Sequence, residues 1–397
     1  DPKAFDAAEA AVRNQLGAPG DPSAAVATVV PGDGAIRVLF GGLASDQTFD
    51  LASQGRRQTG SSFKPFVYLA ALRAKIDPRS VFDGSSPRTL QYKGQTYTVD
   101  NYEGEGSGPI TVDEALVHSV NTVFAQLVLQ PNVGPAAVVQ AATDAGVPAD
   151  RLEGDRDRPA VALGGLTRGT NPLEMATAYA TFAAKGTYAA PYGIARVRDR
   201  TGKQLYEHRP STKPVIDPQL AGVLNATLIQ VVQRGTGVAA QVPGWVVGGK
   251  TGTTQNNGDA WFIGMTTPLT TAVWVGHPDK IVPMTNVHGR SVTGGSFPAQ
   301  IFSETMRAAL ASLKPVPLFT ASPDGLGLTI VGAPTTTSSS SSTTPTTTTP
   351  TSLEPPQTTP PPPPQPQPTD PPRTTSTRRA TTTSAPPSGS STSSTVK

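Results

Sequence analysis

The sequence has no cysteine among its 397 residues, and only four histidines. The missing cysteines exclude disulfides, thiol nucleophiles and cysteine-ligated metal sites. The histidines, His118, His208, His277 and His288, show none of the close spacings that metal ligands need. We therefore expect neither a metal nor any other cofactor.

Two further features are missing. No apolar run approaches the roughly 20 residues that a membrane-spanning helix requires. No basic stripe with interleaved aromatics is present and the net charge of +3 is small, which argues against a nucleic-acid partner. The chain starts at Asp1-Pro2 without a leader-like segment, so we expect it to be a trimmed piece.

The C-terminal part is poor in apolar residues. Residues 334–397 are dominated by Thr, Ser and Pro, with a proline run at 360–364. Such a composition cannot offset the entropy cost of ordering, so we predict a disordered, partly polyproline-like tail over residues 331–397. We expect residues 1–20 to form an N-terminal helix and linker, and residues 21–330 to form one domain with a large core.

Apolar spacing predicts the elements of the first part of this domain. It indicates a helix over residues 5–16, then a β-hairpin with strands Ala24–Val30 and Ile36–Phe40. Residues 113–185 are predicted to be helix-rich, and "VDEALVHSVNTVFAQLVL" and "NPLEMATAYATFAAKG" are each expected to form one helix. A further helix is predicted over Gln219–Arg234.

After that helix the hydrophobic period changes to two. The stretches "WVVGGKTGTT", "DAWFIGMTT" and "LTTAVWVG" predict three strands with short connections, hence an antiparallel meander. A terminal helix follows in "FPAQIFSETMRAALASL". This order predicts an α/β (α+β) fold in which a five-stranded antiparallel sheet is flanked by helices, together with a helix-rich subdomain.

The stretch "RRQTGSSFKPFVYLAAL" combines two serines, a lysine and a proline at a predicted helix start. Pro65 is tolerated in a first turn, where its missing N–H has no partner to lose. Residues i and i+3 share a helix face, so Ser61 and Lys64 are neighbours whereas Ser62 points elsewhere. A serine is a useful nucleophile only beside a base. Taken alone, this spacing is more often structural, because serine is a common N-cap.

Two other motifs change that judgement. Ser119 and Asn121 lie in "HSVNTVF", and Lys250 opens the run Lys250-Thr251-Gly252-Thr253 in "GGKTGTTQ". Each motif is weak by itself: a lone Ser-x-Asn is usually a polar helix face, and a lone Lys-Thr-Gly a strand edge. Together and in this order they match the Ser-x-x-Lys, Ser-x-Asn and Lys-Thr-Gly set of penicillin-binding proteins and serine β-lactamases.

The similarity extends beyond the three motifs to longer blocks, among them "NYEGEGSGPITVDEALVHSVNT", "ALGGLTRGTNPLEMATAYATFAAKG" and "GRSVTGGSFPAQIF". Over about residues 24–313 the chain resembles the transpeptidase domain of class A (bifunctional) penicillin-binding proteins. The Ala/Gly-rich composition and the Thr/Pro-rich tail resemble the mycobacterial or related actinobacterial branch of that family.

The resemblance implies roles for five side chains. Ser61 would be the nucleophile, Lys64 its base, and Ser119 a proton relay to the leaving group. Asn121 would hold Lys64 and the substrate amide, and Lys250 would add a second positive charge that favours a neutral Lys64.

The same resemblance implies a substrate-binding strand made of Thr251, Gly252 and Thr253. The two threonine hydroxyls would bind the terminal carboxylate of the substrate. The backbone N–H groups of Ser61 and Thr253 would form the oxyanion hole.

The implied activity is that of a D,D-transpeptidase, which cross-links peptidoglycan stem peptides through a serine acyl-enzyme and is acylated by β-lactams. Expected partners are the D-Ala–D-Ala donor, an amine acceptor, and cell-wall hydrolases or division and elongation proteins. We expect an extracytoplasmic domain whose membrane anchor lies outside these residues. No glycosyltransferase segment is recognisable here, so we expect cross-linking without glycan polymerisation.

Three alternatives remain open. A D,D-carboxypeptidase would use the same residues. A class A β-lactamase would need a deacylating glutamate, and Glu153 lies in the right region, but "EGDRD" does not match the usual loop. A non-enzymatic β-lactam sensor or cell-wall binding module would also carry the serine, but it would lack the longer blocks.

Overall fold

The structure, a computed structural model, describes residues 1–43 and 49–332. The predicted tail, from residue 333 onward, lies outside the described residues. Across the part that the structure describes, none of the helices is both long and apolar enough to cross a bilayer.

The helices follow one another with short connections. Their bounds are α1 Pro2–Leu16, α2 Lys64–Arg73, α3 Val112–Val117, α4 Asn121–Leu127, α5 Gly134–Ala145, α6 Pro172–Ala183, α7 Pro218–Arg234 and α8 Phe297–Ala309. A short 3₁₀ turn, Gly60–Phe63, leads directly into α2.

The strands divide into one large sheet and several small pairs. Their bounds are β1 Ser23–Val29, β2 Ile36–Phe40, β3 Val81–Asp83, β4 Arg88–Tyr92, β5 Gln95–Val99, β6 Pro109–Thr111, β7 Thr187–Ala189, β8 Arg196–Arg198, β9 Gln204–Glu207, β10 Thr212–Pro214, β11 Gly248–Thr253, β12 Asp259–Met265 and β13 Thr270–Gly276. The large sheet is antiparallel, in the order β11-β12-β13-β1-β2. The predicted five-stranded sheet is thereby confirmed, with β11 at its edge.

Both faces of the sheet are covered, which explains why its strands are apolar throughout. On β12, Trp261 and Ile263 enter the core shared with α2, α5, α6 and α7. Phe262, between them, enters the second core, which α1 and α8 close. Alternation along a strand sends successive side chains to opposite faces, so the sheet is the middle layer of three.

Local sequence signals set several of the helix starts. Asn171 accepts a hydrogen bond from the Glu174 N–H at 2.9 Å, and the Glu174 carboxylate accepts from the Asn171 N–H at 3.1 Å. This capping box starts α6 as the sequence predicts. Pro65 lies in the first turn of α2, as expected.

Two features of the helical part differ from the expectation. The stretch predicted as a single helix over residues 112–129 is two helices, α3 and α4, separated at residues 118–120. The paired strands β3–β6, β4–β5, β7–β10 and β8–β9 were not predicted. They are short, and β4–β5 and β8–β9 are largely exposed, so they lack the hydrophobic period that marks a core strand.

Candidate active site

The two adjacent serines have different environments. Ser61 lines an open cleft. Ser62 is buried, and its hydroxyl donates to the Thr59 carbonyl at 2.8 Å. Of the two serines, Ser61 is thus the one available to a molecule in the cleft.

Two glycines let the turn that carries Ser61 pack directly on β11. Gly60 has φ +53°, and a Cβ placed there would lie 2.5 Å from the Thr253 carbonyl oxygen. A Cβ on Gly252 would lie 2.2 Å from the Thr59 carbonyl oxygen. No side chain fits at either position, so backbone-to-backbone contact fixes the nucleophile turn against the Lys-Thr-Gly strand.

Lys64 is fully buried, and the second motif holds its amino group. Its Nζ donates to the Ser119 carbonyl at 2.5 Å and to Asn121 Oδ1 at 2.8 Å, and it lies 3.3 Å from Ser119 Oγ. The Asn121 amide group in turn donates to the Asp100 carbonyl at 2.8 Å. Among the described residues, the hydrogen-bond partners of Lys64 Nζ do not include Ser61 Oγ.

Ser119 occupies the break between α3 and α4, with φ +60°. A non-glycine residue in this region is uncommon and often marks a functional position. The break lets its hydroxyl lie between two lysines, because Lys250 Nζ donates to Ser119 Oγ at 2.8 Å. Asn101 supports the break by accepting from the Thr122 N–H at 3.0 Å, in the first turn of α4.

The two lysines are both displaced towards their neutral forms. Burial, and then the nearby Lys250 charge, lowers the pKa of Lys64 well below its usual value. Burial lowers the pKa of Lys250 to about 7. Desolvation disfavours a charged ammonium, and a like charge adds to that effect. A neutral Lys64 close to a serine can act as a base.

The Lys-Thr-Gly strand presents two hydroxyls to the same cleft. Thr251 Oγ1 pairs with Thr236 Oγ1 at 2.7 Å, and Thr253 Oγ1 accepts from the Gly294 N–H at 3.2 Å. Thr251 and Thr253 line the cleft. Gly252, between them, provides the close contact with the nucleophile turn.

A partly buried polar cluster joins three helices. The Tyr68 hydroxyl of α2 donates to Asp113 Oδ1 at 2.6 Å, and the Thr227 hydroxyl of α7 donates to the same oxygen at 2.6 Å. Asp113 belongs to α3, which leads to Ser119. Hydrogen bonds to one carboxylate thus tie the helix of Lys64 to the helix that precedes Ser119.

The cleft has a volume of about 770 Å³. It brings together Ser61, Ser119, Asn121, Thr251 and Thr253, with Lys64 and Lys250 buried below. Sequence reasoning did not single out the remaining wall residues, which are Asn101, Tyr102, Glu105, Ser107, Val120, Thr236, Ala239, Arg290, Thr293, Gly295, Ser296 and Gln300. Several of these residues lie in the blocks "NYEGEG" and "GRSVTGG". From the sequence, these blocks indicated only a resemblance to a known family, and their residues had no predicted role in the site.

Two other residues considered from the sequence can now be placed. His118 lies at the rim of the cleft, where its Nε2 is 3.5 Å from Glu114 Oε2. Glu153 is not among the cleft residues. Its side chain is 68% exposed and pairs with Arg168 at 2.7 Å, so it is not placed to activate water at Ser61.

Comparison with known proteins shows which family the chain belongs to. Residues 24–307 match the family model described as the penicillin binding protein transpeptidase domain. The chain is 36% identical over 331 residues to penicillin-binding protein 1A of Mycolicibacterium smegmatis, covering 78% of this chain and 40% of that protein. The corresponding protein of Mycobacterium tuberculosis is 35% identical, with 78% and 39% covered. The chain thus spans about two fifths of these relatives' length.

A solved structure shows the same architecture. The PonA1 protein from Mycobacterium tuberculosis in complex with penicillin V superposes with a TM-score of 0.74 at 34% identity. The match covers 84% of this chain and 90% of that chain.

Proposed function

Because the chain belongs to the penicillin-binding protein transpeptidase family, we propose that its cleft performs D,D-transpeptidation on peptidoglycan stem peptides. One observation carries the proposal most strongly. Ser61 opens onto the same cleft as Ser119, and two buried lysines share the Ser119 hydroxyl as a hydrogen-bond partner. This arrangement provides both a nucleophile and a neutral amine base.

In the first step Ser61 Oγ attacks the carbonyl carbon of the penultimate D-Ala of a donor stem. Lys64 takes the hydroxyl proton, for which its lowered pKa suits it. The carbon–nitrogen bond to the terminal D-Ala then breaks. Ser119, between the lysines, passes a proton to the departing nitrogen, and an ester remains on Ser61.

The oxyanion that forms in this step needs fixed donors. We assign that role to the backbone N–H groups of Ser61 and Thr253, which the close packing at Gly60 holds side by side. Thr251 and Thr253 bind the donor carboxylate through their hydroxyls. Asn121 orients Lys64 and pairs with the substrate amide.

In the second step the amine of another stem attacks the ester, forming a new amide bond and releasing Ser61. A β-lactam resembles the D-Ala–D-Ala end and acylates the same oxygen. We propose that this acyl-enzyme persists, since the exposed Glu153 is too poorly placed to activate water. The site would lie on the outer side of the cytoplasmic membrane, anchored through a segment beyond these residues. Cell-wall hydrolases and division or elongation proteins are proposed as partners from the resemblance alone.

Labelling with a fluorescent penicillin tests the assignment. We expect Ser61→Ala to abolish labelling and Ser62→Ala to retain it, although loss of the Ser62–Thr59 hydrogen bond will lower stability by about 1 kcal/mol. Denaturing gels measure the label and thermal melts verify folding of both variants.

Loss of labelling in a folded Ser62→Ala with retention in Ser61→Ala would overturn the choice of nucleophile. Rapid release of hydrolysed penicillin would indicate a β-lactamase. Hydrolysis of a D-Ala–D-Ala peptide without transfer to any amine would indicate a carboxypeptidase. Stable labelling without turnover of any D-Ala–D-Ala peptide or thioester would indicate a sensor.

A further inference from the structure

One acidic and two basic residues line the cleft at its surface: Glu105, His118 and Arg290. Glu105 is the single carboxylate among the residues that line it. The steps assigned so far use Ser61, the lysines, Ser119, Asn121 and the threonines, and leave this carboxylate without a role.

The loop that carries Glu105 is joined to the catalytic break. The Asn101 amide group donates to the Glu105 carbonyl at 2.8 Å and to the Gly84 carbonyl at 3.0 Å. The oxygen of the same amide accepts from the Thr122 N–H. Since Thr122 follows Asn121 directly, the position of Glu105 is fixed relative to the wall of the cleft formed by Ser119 and Asn121.

The carboxylate of Glu105 is exposed, and no Lys, Arg or His within the described residues lies within salt-bridge distance of it. The other two charged groups are already engaged. His118 is paired with Glu114, and the Arg290 guanidinium lies 4.0 Å from the ring centroid of Phe297 and donates to Gln300 at 2.8 Å.

The two walls of the cleft therefore differ in charge. Arg290 belongs to the segment that reaches Thr253 through the Gly294 N–H, on the β11 wall. Glu105 belongs to the wall formed by Ser119 and Asn121. A donor that presents a terminal carboxylate is attracted towards the β11 wall and repelled by Glu105. The acceptor, in contrast, arrives as an ammonium ion at neutral pH.

We propose that Glu105 recognises the ammonium group of the acceptor stem peptide and holds it beside the acyl-enzyme on Ser61. This inference rests on the proposed transpeptidation and names the charge class of its second substrate. The bound ammonium releases one proton to solvent, and its nitrogen attacks the ester carbon. The carbon–nitrogen bond forms, the carbon–Oγ bond breaks, and the second proton returns to Ser61 Oγ.

The test measures how the acyl-enzyme partitions between two nucleophiles, an amine and water. A D-Ala thioester donor is supplied with Nα-acetyl-lysine amide as the amine, and mass spectrometry measures the ratio of aminolysis to hydrolysis. Because both products come from the same acyl-enzyme, the ratio does not depend on the acylation rate. We expect Glu105→Gln to lower the ratio roughly fivefold, the effect of one exposed ion pair.

Two controls separate charge recognition from general damage to the loop. Glu103→Gln changes a carboxylate two residues away that does not line the cleft, and it should keep the wild-type ratio. Methanol is a neutral nucleophile, so the ratio of methanolysis to hydrolysis should be the same in Glu105→Gln and the wild type. The difference in the aminolysis-to-hydrolysis ratio between the wild type and Glu105→Gln should also shrink as salt is added.

An unchanged ratio of aminolysis to hydrolysis in Glu105→Gln would overturn the inference. An equal fall in the ratio of methanolysis to hydrolysis would also overturn it, because it would indicate a steric role for Glu105. Failure of the proposed function is a different result: the wild-type chain would then leave the thioester unreacted, or hydrolyse it without forming any aminolysis product.

Discussion

The base and the surface of the cleft are built differently. The cleft floor, defined as Lys64, Ser119 and Lys250, contains two fully buried lysines joined through one hydroxyl. The cleft rim, defined as Glu105, His118 and Arg290, is exposed and has charges of both signs. Burial shifts the protonation of the floor, whereas water screens the rim. The difference assigns bond-making to the floor and substrate choice to the rim.

The largest effect is expected when the proposed base, Lys64, is removed from the cleft floor. Lys64→Met should slow acylation by penicillin by roughly 10³-fold, the usual contribution of a positioned base. Stopped-flow measurement of the labelling rate checks it, with Lys3→Met, an exposed lysine on α1, as the matched control. Labelling of Lys64→Met at the wild-type rate would mean that another group takes the Ser61 proton.

The second change tests how much folding stability is lost by burying Lys250 in the cleft floor. Lys250 has a pKa of about 7 in the folded chain and an ordinary value near 10.5 when unfolded. Between these two pH values the unfolded chain binds more protons, so the wild type gains stability as pH rises through this window. Below pH 7 the folded chain bears the full cost of a buried charge.

Lys250→Met should therefore lose activity yet melt at a higher temperature than the wild type at pH 6. The difference in melting temperature should shrink between pH 7 and pH 10. Calorimetry across this range checks the prediction, and Lys3→Met should show no such trend. A difference that grows with pH would contradict the assigned direction of the Lys250 pKa.

The smallest effect is expected outside both regions. Glu153→Gln removes an exposed pair with Arg168, so stability should change by no more than about 1 kcal/mol. The lifetime of the penicilloyl-enzyme, followed by mass spectrometry, should stay at the wild-type value. A marked lengthening would show that Glu153 does take part in deacylation.

Much of the fold was predictable because its signals are local. The alternation around Trp261, the Asn171-Pro172 helix start and the turn between β1 and β2 each depend on a few neighbouring residues. The break at Ser119 was not predictable in this way. No glycine or proline interrupts residues 112–130, and the break is supported by Asn101 and by two lysines from distant segments.

The same distinction between local signals and contacts from distant segments holds for the site. The spacing of Ser61 and Lys64 singled out the serine that lines the cleft, and Ser62 is the one that is buried. The rim could not be obtained from spacing, because Glu105 and Arg290 come from separate loops that line one cleft only in the folded chain. Their charges are ordinary in the sequence, and only the fold brings them to the same cleft.

The contacts of Gly60 with Thr253 and of Gly252 with Thr59 also limit how this chain can change under selection. Any side chain at either glycine would push the Ser61 turn away from β11, so the proposed reaction and the proposed acylation by penicillin would be lost together. Substitutions that lower acylation by penicillin but keep the proposed reaction are therefore expected at the exposed rim, where side chains can be exchanged while the nucleophile stays in place. The two glycines are consequently expected to be the positions of the site that tolerate the least variation.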